Sequence, residues 1–238
     1  MSAPVRAPAQ SETVASGSDG TPSLAEQYSV MASEDFAPRR VDIALRGLDL
    51  LIAGSALIVL APLLAALAIG ILLTSGTPVL YRGERVGRAG RVFTMFKLRT
   101  LKRGAEGRLG NVYGEELSRR TEQEVTLVGK AARLTHIDEV PQLFNVLRGD
   151  MSMVGPRPVR PAFFFGLVDE VPQYWQRLVV RPGVTGFAQT RITREDSWED
   201  KLIHDLEYIA DRSIRLYLRV LGATMARIIR LTMRGRNR

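Results

Sequence analysis

Residues 50–81 carry no charged side chain, and Pro62 sits near the middle of them. At about 1.5 Å rise per residue, a straight helix of that length is ~48 Å long, well beyond the ~30 Å hydrocarbon core of a bilayer. Two arrangements satisfy such a stretch: a tilted span with a proline kink, or a broken helix that dips into the membrane and returns. Proline removes an N–H, and its ring clashes with the carbonyl four residues back, so Pro62 is the expected break. Arg39, Arg40 and Arg46 precede the stretch, and Arg82, Arg85, Arg88, Arg91 and Lys97 follow it. The one-sided basic bias that orients a spanning helix is therefore missing. The flanks favour a re-entrant hairpin over 48–73 with both ends on one side. Ser55 is the candidate to cap backbone groups freed by the break.

The chain is long enough for one domain plus this membrane element. Residues 1–35 are rich in Ala, Ser, Pro and Gly, bury too little to offset ordering entropy, and are expected to be a disordered tail. They lack the basic region joined to an apolar core of a secretory signal. Residues 36–81 divide into an amphipathic lead-in helix (36–47) and the membrane element, and 82–238 form the catalytic domain. Cysteine is absent, which excludes disulfides, thiolate nucleophiles and zinc–thiolate sites. His136 and His204 show no ligand spacing. The net charge of +8 favours anionic partners. With an embedded segment these are anionic lipid headgroups and phosphate ligands, and no aromatic-interleaved basic strands point to nucleic acid.

The expected fold is α/β, mostly helical with a small sheet, the membrane hairpin and amphipathic surface helices. The glycine-rich fingerprint of a doubly wound dinucleotide fold is missing. Residues 91–100 alternate like a strand, placing Lys97 and Arg99 on one face. Residues 103–123 read as a mobile loop. Helices are expected over 137–148, stopped by Gly149, and over 161–178, interrupted near Pro172. A further helix over 198–232 carries Arg212, Arg215, Arg219, Arg227 and Arg230 among apolar residues. Such a basic amphipathic helix suits either a membrane surface or the domain core.

Three groups carry chemistry. Asp138 and Glu139 are adjacent carboxylates shortly before Pro141, at or near a helix start where the macrodipole favours negative charge. An ionised Asp can attack phosphorus, a carboxylate can hold Mg²⁺ beside substrate phosphates, and acids in a first turn can simply complement the dipole. In Gly155-Pro156-Arg157-Pro158, two prolines fix the backbone around one guanidinium, which suits a phosphate clamp. Lys97 and Arg99 offer a second phosphate site. Together with the membrane element these groups fit a reaction that joins a soluble phosphate ester to a lipid phosphate.

Over residues 40–233 the chain resembles the bacterial sugar transferase family, the monotopic phosphoglycosyl transferases. The segments that carry the likeness are YRGERVGRAGRVF (81–93), KLRT (97–100), RLTHIDEVPQLFNVLRGD (133–150), MSMVGPRP (151–158) and RPGVTGFAQ (181–189). Trp198, Asp205 and Tyr208 follow at family spacing. The resemblance implies a helix broken at Pro62, a nucleotide-diphosphate sugar donor (usually a uridine one), and a polyprenol phosphate acceptor. It places the protein on the cytoplasmic face of a bacterial inner membrane, with both termini cytoplasmic, in exopolysaccharide, capsule or O-antigen synthesis. It makes Asp138 the nucleophile and Glu139 the Mg²⁺ ligand. Arg133 would contact a phosphate, Pro156, Arg157 and Pro158 would hold the nucleotide, and Lys97, Arg99, Arg181 and Gln189 fall in matched binding segments. No multi-helix module is seen ahead of residue 36, as expected of the family's small form. Direct transfer without a covalent intermediate and a non-enzymatic scaffold are the rival readings. The oligomeric state stays open, a homodimer included. Four positions depart from the family pattern: Ala61 replaces the usual Ser before the breaking proline, and Glu124 an Arg near Thr126 and Gly129. Ile192-Thr193 stand for a Gly-Arg pair, near an expected sugar or base contact, and Tyr217 for an Asp.

Overall fold

A computed structural model describes residues 39–105, 108, 114–192 and 197–235. The expected tail 1–35, the start of the lead-in segment, parts of the 103–123 loop and Thr193 lie outside them.

Helix α1 (Arg40–Ser75) runs through Pro62, so the described part of the lead-in segment forms its first turns. Asp42 in its first turn accepts the Arg39 N–H at 2.8 Å, which satisfies an end donor and complements the dipole. Gly76, at φ 68°, ends it, a conformation glycine adopts without a Cβ penalty. Leu45, Asp49 and Ala53, spaced by four, are buried in one stripe against the rest of the molecule. Past Leu57 the helix faces outward: Ile58 and Val59 are 78% and 74% exposed, and Ile71 is buried again near the end. The helix is long and apolar enough to cross a membrane. Ser55 does not serve the break. Its hydroxyl donates to the Leu51 and Ile52 carbonyls at 2.8 and 3.1 Å, nearly two turns before Ile58, whose i+4 donor Pro62 removes.

Strands β1 (Leu80–Val86) and β2 (Val92–Leu98) form an antiparallel hairpin with Tyr81 opposite Lys97. Helix α2 (Gly114–Glu124) occupies much of what was expected to be a loop. The polarity that suggested a loop is that of a surface helix, in which Glu116 pairs with Arg119 at 2.8 Å and with Arg120 at 2.7 Å. Then follow α3 (Leu127–Leu134), a 3₁₀ turn (Ile137–Glu139) and α4 (Gln142–Arg148). Gly149 stops α4 at φ 93°, as expected. Strand β3 (Ser152–Val154) leads to α5 (Pro161–Glu170) and, after the anticipated interruption at Pro172, a 3₁₀ helix (Pro172–Val179). Strand β4 (Gly183–Thr185) pairs in parallel with β3, and α6 (Phe187–Arg191) follows.

The helix expected over 198–232 is two, α7 (Trp198–Asp211) and α8 (Ile214–Gly235). Arg212 breaks it by leaving helical backbone geometry, at φ −54° and ψ 123°. Its buried guanidinium donates to both Asp42 oxygens, at 2.6 and 3.0 Å, and to the Ile209 carbonyl at 2.6 Å. The small sheet is two separate two-stranded ladders, and no doubly wound sheet forms among the described residues.

The core has three apolar clusters, and α1 contributes to two. Leu45 packs with Phe187, Tyr208, Tyr217 and Val220. Ala53 packs with Met95, Leu143, Val146 and Met151. The third gathers Val86, Phe164, Tyr174 and Leu178. Each large side chain fully buried this way stabilises the fold by roughly 1.5–3 kcal/mol. At the foot of α1 the Asp49 carboxylate accepts from the Ser152 hydroxyl (2.9 Å), the Met153 N–H (2.8 Å) and the Tyr217 hydroxyl (2.9 Å). Tyr217, at the position where an Asp was expected, is therefore a donor to α1.

Candidate active site

Asp138 and Glu139 sit in the 3₁₀ turn ahead of α4 rather than in its first α-helical turn. Pro141 explains this. An α-helical register needs the residue-141 N–H to reach the Ile137 carbonyl, and proline has none. That carbonyl accepts from Val140 instead, at 3.1 Å, and Phe144 N–H reaches back only to Pro141, also at 3.1 Å. The tighter turn points the two acids differently. Asp138 is 8% exposed. Glu139 extends to Lys97 of β2, whose Nζ lies 2.6 Å from its Oε1.

Two devices hold β2 against the acidic turn. Asn145 of α4, fully buried, donates its amide to the Thr94 carbonyl at 2.7 Å and accepts the Phe96 N–H at 3.1 Å. Its side chain thus fixes the strand that presents Lys97. At the far end of the strand, Thr100 accepts from Arg133 Nε at 2.8 Å, while its carbonyl receives the Thr126 N–H at 2.9 Å. Thr126 caps α3 by accepting the Gly129 N–H at 3.0 Å. A Cβ on Gly129 would run into the Thr100 carbonyl, so the T-x-x-G spacing is a cap plus a close backbone approach.

The two carboxyls are driven apart electrostatically. Burial, then the neighbouring Glu139, pushes Asp138 above the usual carboxylate range, against the pull of Lys97, Arg133 and His136. Burial pushes Glu139 up as well, but Lys97 and Arg157 outweigh it and hold it below its ordinary value. One acid is therefore the more basic and more nucleophilic, and the other is a committed anion. Lys97 thus acts on both acids, Arg133 on Asp138 and Arg157 on Glu139. Arg157 projects from an exposed position beside buried Pro156 and half-buried Pro158.

Other residues expected at the site are engaged elsewhere. Arg99, 8% exposed, donates Nη2 to the Ser75 and Gly76 carbonyls, both at 2.7 Å, and so caps the end of α1. Arg181 donates to the Gly149 carbonyl at 2.8 Å, beyond the end of α4. Gln189 lies on α6 with its carbonyl held by Arg227 at 2.5 Å, and its buried Nε2 has no partner among the described residues. Asn145 was missed because a lone Asn on an apolar helix face carries no motif. Its signal was polarity at a position where Leu143, Val146 and Leu147 are core-facing.

Among the described residues no group of three or more His, Asp and Glu side chains converges on one point. An all-protein cage for a hard cation is thus lacking there. The anionic Glu139, already drawing an ammonium to 2.6 Å, fits a Mg²⁺ that takes its remaining ligands from substrate phosphate and water.

Several proteins are similar to this chain. The UDP-N-acetylgalactosamine-undecaprenyl-phosphate N-acetylgalactosaminephosphotransferase of Aeromonas hydrophila is 37% identical over 77% of the chain and 43% of its own length. The UDP-glucose:undecaprenyl-phosphate glucose-1-phosphate transferase of Caulobacter vibrioides is 36% identical, over 80% of the chain and 72% of its own length. The exopolysaccharide production protein PSS of Rhizobium leguminosarum bv. phaseoli is 36% identical over 72% and 88%. The chain spans well under half of some relatives, 33% of the undecaprenyl-phosphate glucose phosphotransferase of Komagataeibacter xylinus being one case. The profile of the bacterial sugar transferases matches residues 41–231, from the first turn of α1 to the last turns of α8, and the chain belongs to that family.

Proposed function

We propose that this protein transfers a sugar 1-phosphate from a nucleoside diphosphate sugar to polyprenyl phosphate, through a covalent intermediate on Asp138. The observation that carries the reading is the buried Asp138, raised in basicity beside an anionic Glu139, with Lys97 and Arg133 acting on Asp138 and Lys97 and Arg157 on Glu139. The Asp138 carboxylate attacks the β-phosphorus. The bond from that phosphorus to the bridging oxygen breaks, and the nucleoside monophosphate leaves with the oxygen. An oxygen of the polyprenyl phosphate then attacks the acyl phosphate, frees the carboxylate and carries away the phosphosugar as a diphosphate. Lys97, Arg133 and Arg157 stabilise charge on the phosphoryl oxygens. Glu139 would hold Mg²⁺, which when bound supplies further neutralisation of the diphosphate. The relatives' names, which pair UDP-sugars with undecaprenyl phosphate, support the substrate classes.

The membrane part of the reading is that α1 dips into one leaflet and returns, with both ends on the cytoplasmic face. Its support is that both ends of α1 touch the same domain. Arg46 donates to the Val146 and Leu147 carbonyls at 2.6 and 3.0 Å near the start. Arg99 holds the Ser75 and Gly76 carbonyls at the finish. A helix that crossed the bilayer would carry one of these ends away. Helix α8 adds a second surface for anionic lipid. Ile214, Leu218, Met225, Ile229 and Met233 form an exposed apolar stripe beside Arg215, Arg219 and Arg230.

Incubation in nanodiscs with UDP-glucose, UDP-galactose or UDP-N-acetylgalactosamine and undecaprenyl phosphate tests the function. Repeated, lipid-dependent turnover that releases UMP and forms a lipid diphosphosugar is expected for at least one donor. Release of UDP instead would contradict it.

A further inference from the structure

The loop bearing Arg157 is fixed at three consecutive residues. The Gly155 N–H donates to the Thr185 carbonyl at 2.9 Å, and the Gly183 N–H to the Pro156 carbonyl at 2.9 Å. The Arg157 carbonyl accepts from Arg177 Nη2 at 2.9 Å. The first two bonds belong to the edge where β3 meets β4. The third comes from a side chain that is only 5% exposed, and the same Nη2 lies 2.7 Å from Asp205 Oδ2. Both hydrogens of that nitrogen are thus used, one on the acid and one on the loop. Nη1 donates to the Tyr174 hydroxyl, and the guanidinium lies 4.6 Å from the Tyr174 ring centre.

Stability alone gives little reason for this arrangement. Desolvating two charges costs about as much as their attraction returns, and apolar residues of similar volume often do as well. A planar guanidinium does offer donors in fixed directions. We propose that Arg177, held by Asp205 and Tyr174, is a positioning residue for Arg157. Its bond to the Arg157 carbonyl sets the backbone from which the exposed Arg157 side chain reaches the donor's phosphates. This rests on reading Arg157 as a phosphate ligand.

Calorimetric titration of UDP into the full chain in nanodiscs tests it. Arg157→Ala should weaken UDP about ten-fold, the loss of one charged hydrogen bond. Arg177→Lys keeps the ion pair but not the second donor direction, and should weaken UDP to a similar extent with the melting temperature nearly unchanged. Combining the two should add less than about two-fold, because both remove one interaction. Arg177→Met with Asp205→Leu takes out the charges and keeps the volume, and should behave like Arg177→Lys. The kcat/KM for undecaprenyl phosphate should change less than the affinity for UDP throughout. Wild-type UDP affinity in Arg177→Lys, or losses that multiply in the combined variant, would overturn the positioning role while leaving Arg157 a ligand. An Arg157→Ala variant with wild-type affinity would overturn the phosphate-ligand reading itself. Loss of the fold in both Arg177 variants would make the pair architectural and also overturn it.

Discussion

Asp49 and Asp138 are both buried, at 2% and 8% exposure, yet the two regions use a carboxylate in opposite ways. At the foot of α1, Asp49 accepts three hydrogen bonds, two from β3 and one from α8. Its charge is dispersed over fixed donors, and it joins the membrane helix to the domain. In the 3₁₀ turn, Asp138 is set by burial and by the like charge of Glu139, and only charges oppose them. A buried acid that is fully bonded holds structure, whereas one kept basic beside another acid is poised to react.

The largest effects should separate the two residues. Asp138→Asn is expected to lower turnover by roughly 10³-fold or more, the scale of losing a nucleophile, with no loss of thermal stability. Asp49→Ala is expected to do the reverse. It leaves the Ser152, Met153 and Tyr217 donors unpaired, and should cost about 3 kcal/mol in denaturant unfolding, while the folded fraction keeps its turnover. Equal losses of turnover in both variants would break the contrast.

A smaller effect should come with pH. The folded-state pKa of Asp138 is raised, so between the ordinary carboxylate value and that raised value the folded chain binds more protons than the unfolded one, and stability falls as pH rises. Asp138→Asn removes this penalty. Its stability advantage should be full at neutral pH and shrink on acidification through the raised pKa towards pH 4 in paired unfolding titrations. Glu139 carries the opposite sign. Its pKa is lowered, so its contribution is present above the ordinary value and disappears as pH falls through the lowered one. The smallest effect belongs to Glu124, which departs from the family pattern. It meets Arg108 at 2.7 Å on the surface, and Glu124→Gln should leave turnover and melting temperature unchanged.

What could be read from the chain beforehand depended on how local the signal was. The acidic pair, the Gly-Pro-Arg-Pro loop and the Gly149 stop are short motifs contained in a few residues; Gly149 ends α4 as expected, while the acids fall in a 3₁₀ turn just ahead of it. Lys97 and Arg99 were expected on one strand face, but β2 ends at Leu98, and neither residue's partner was legible. The Glu139 carboxylate is 42 residues from Lys97, and the end of α1 took Arg99 because helix-terminal carbonyls need donors. The roles of Asn145 and of the Arg177–Asp205 pair were not legible for the same reason, since each is defined by what it meets across the fold. The break at Arg212 was missed because the apolar period continues through it. Only the buried bridge to Asp42 explains why the helix stops there.

The central claim is that Asp138 holds the phosphosugar between the two half-reactions. The direct measurement is rapid-quench mass spectrometry of the full chain in nanodiscs with UDP-sugar and without polyprenyl phosphate. The account predicts a mass increase of one sugar phosphate on the peptide carrying Asp138, matched by one UMP released per chain, absent in Asp138→Asn, and discharged when undecaprenyl phosphate is added. Full turnover with lipid, together with no adduct and no UMP at any time without it, would contradict the account.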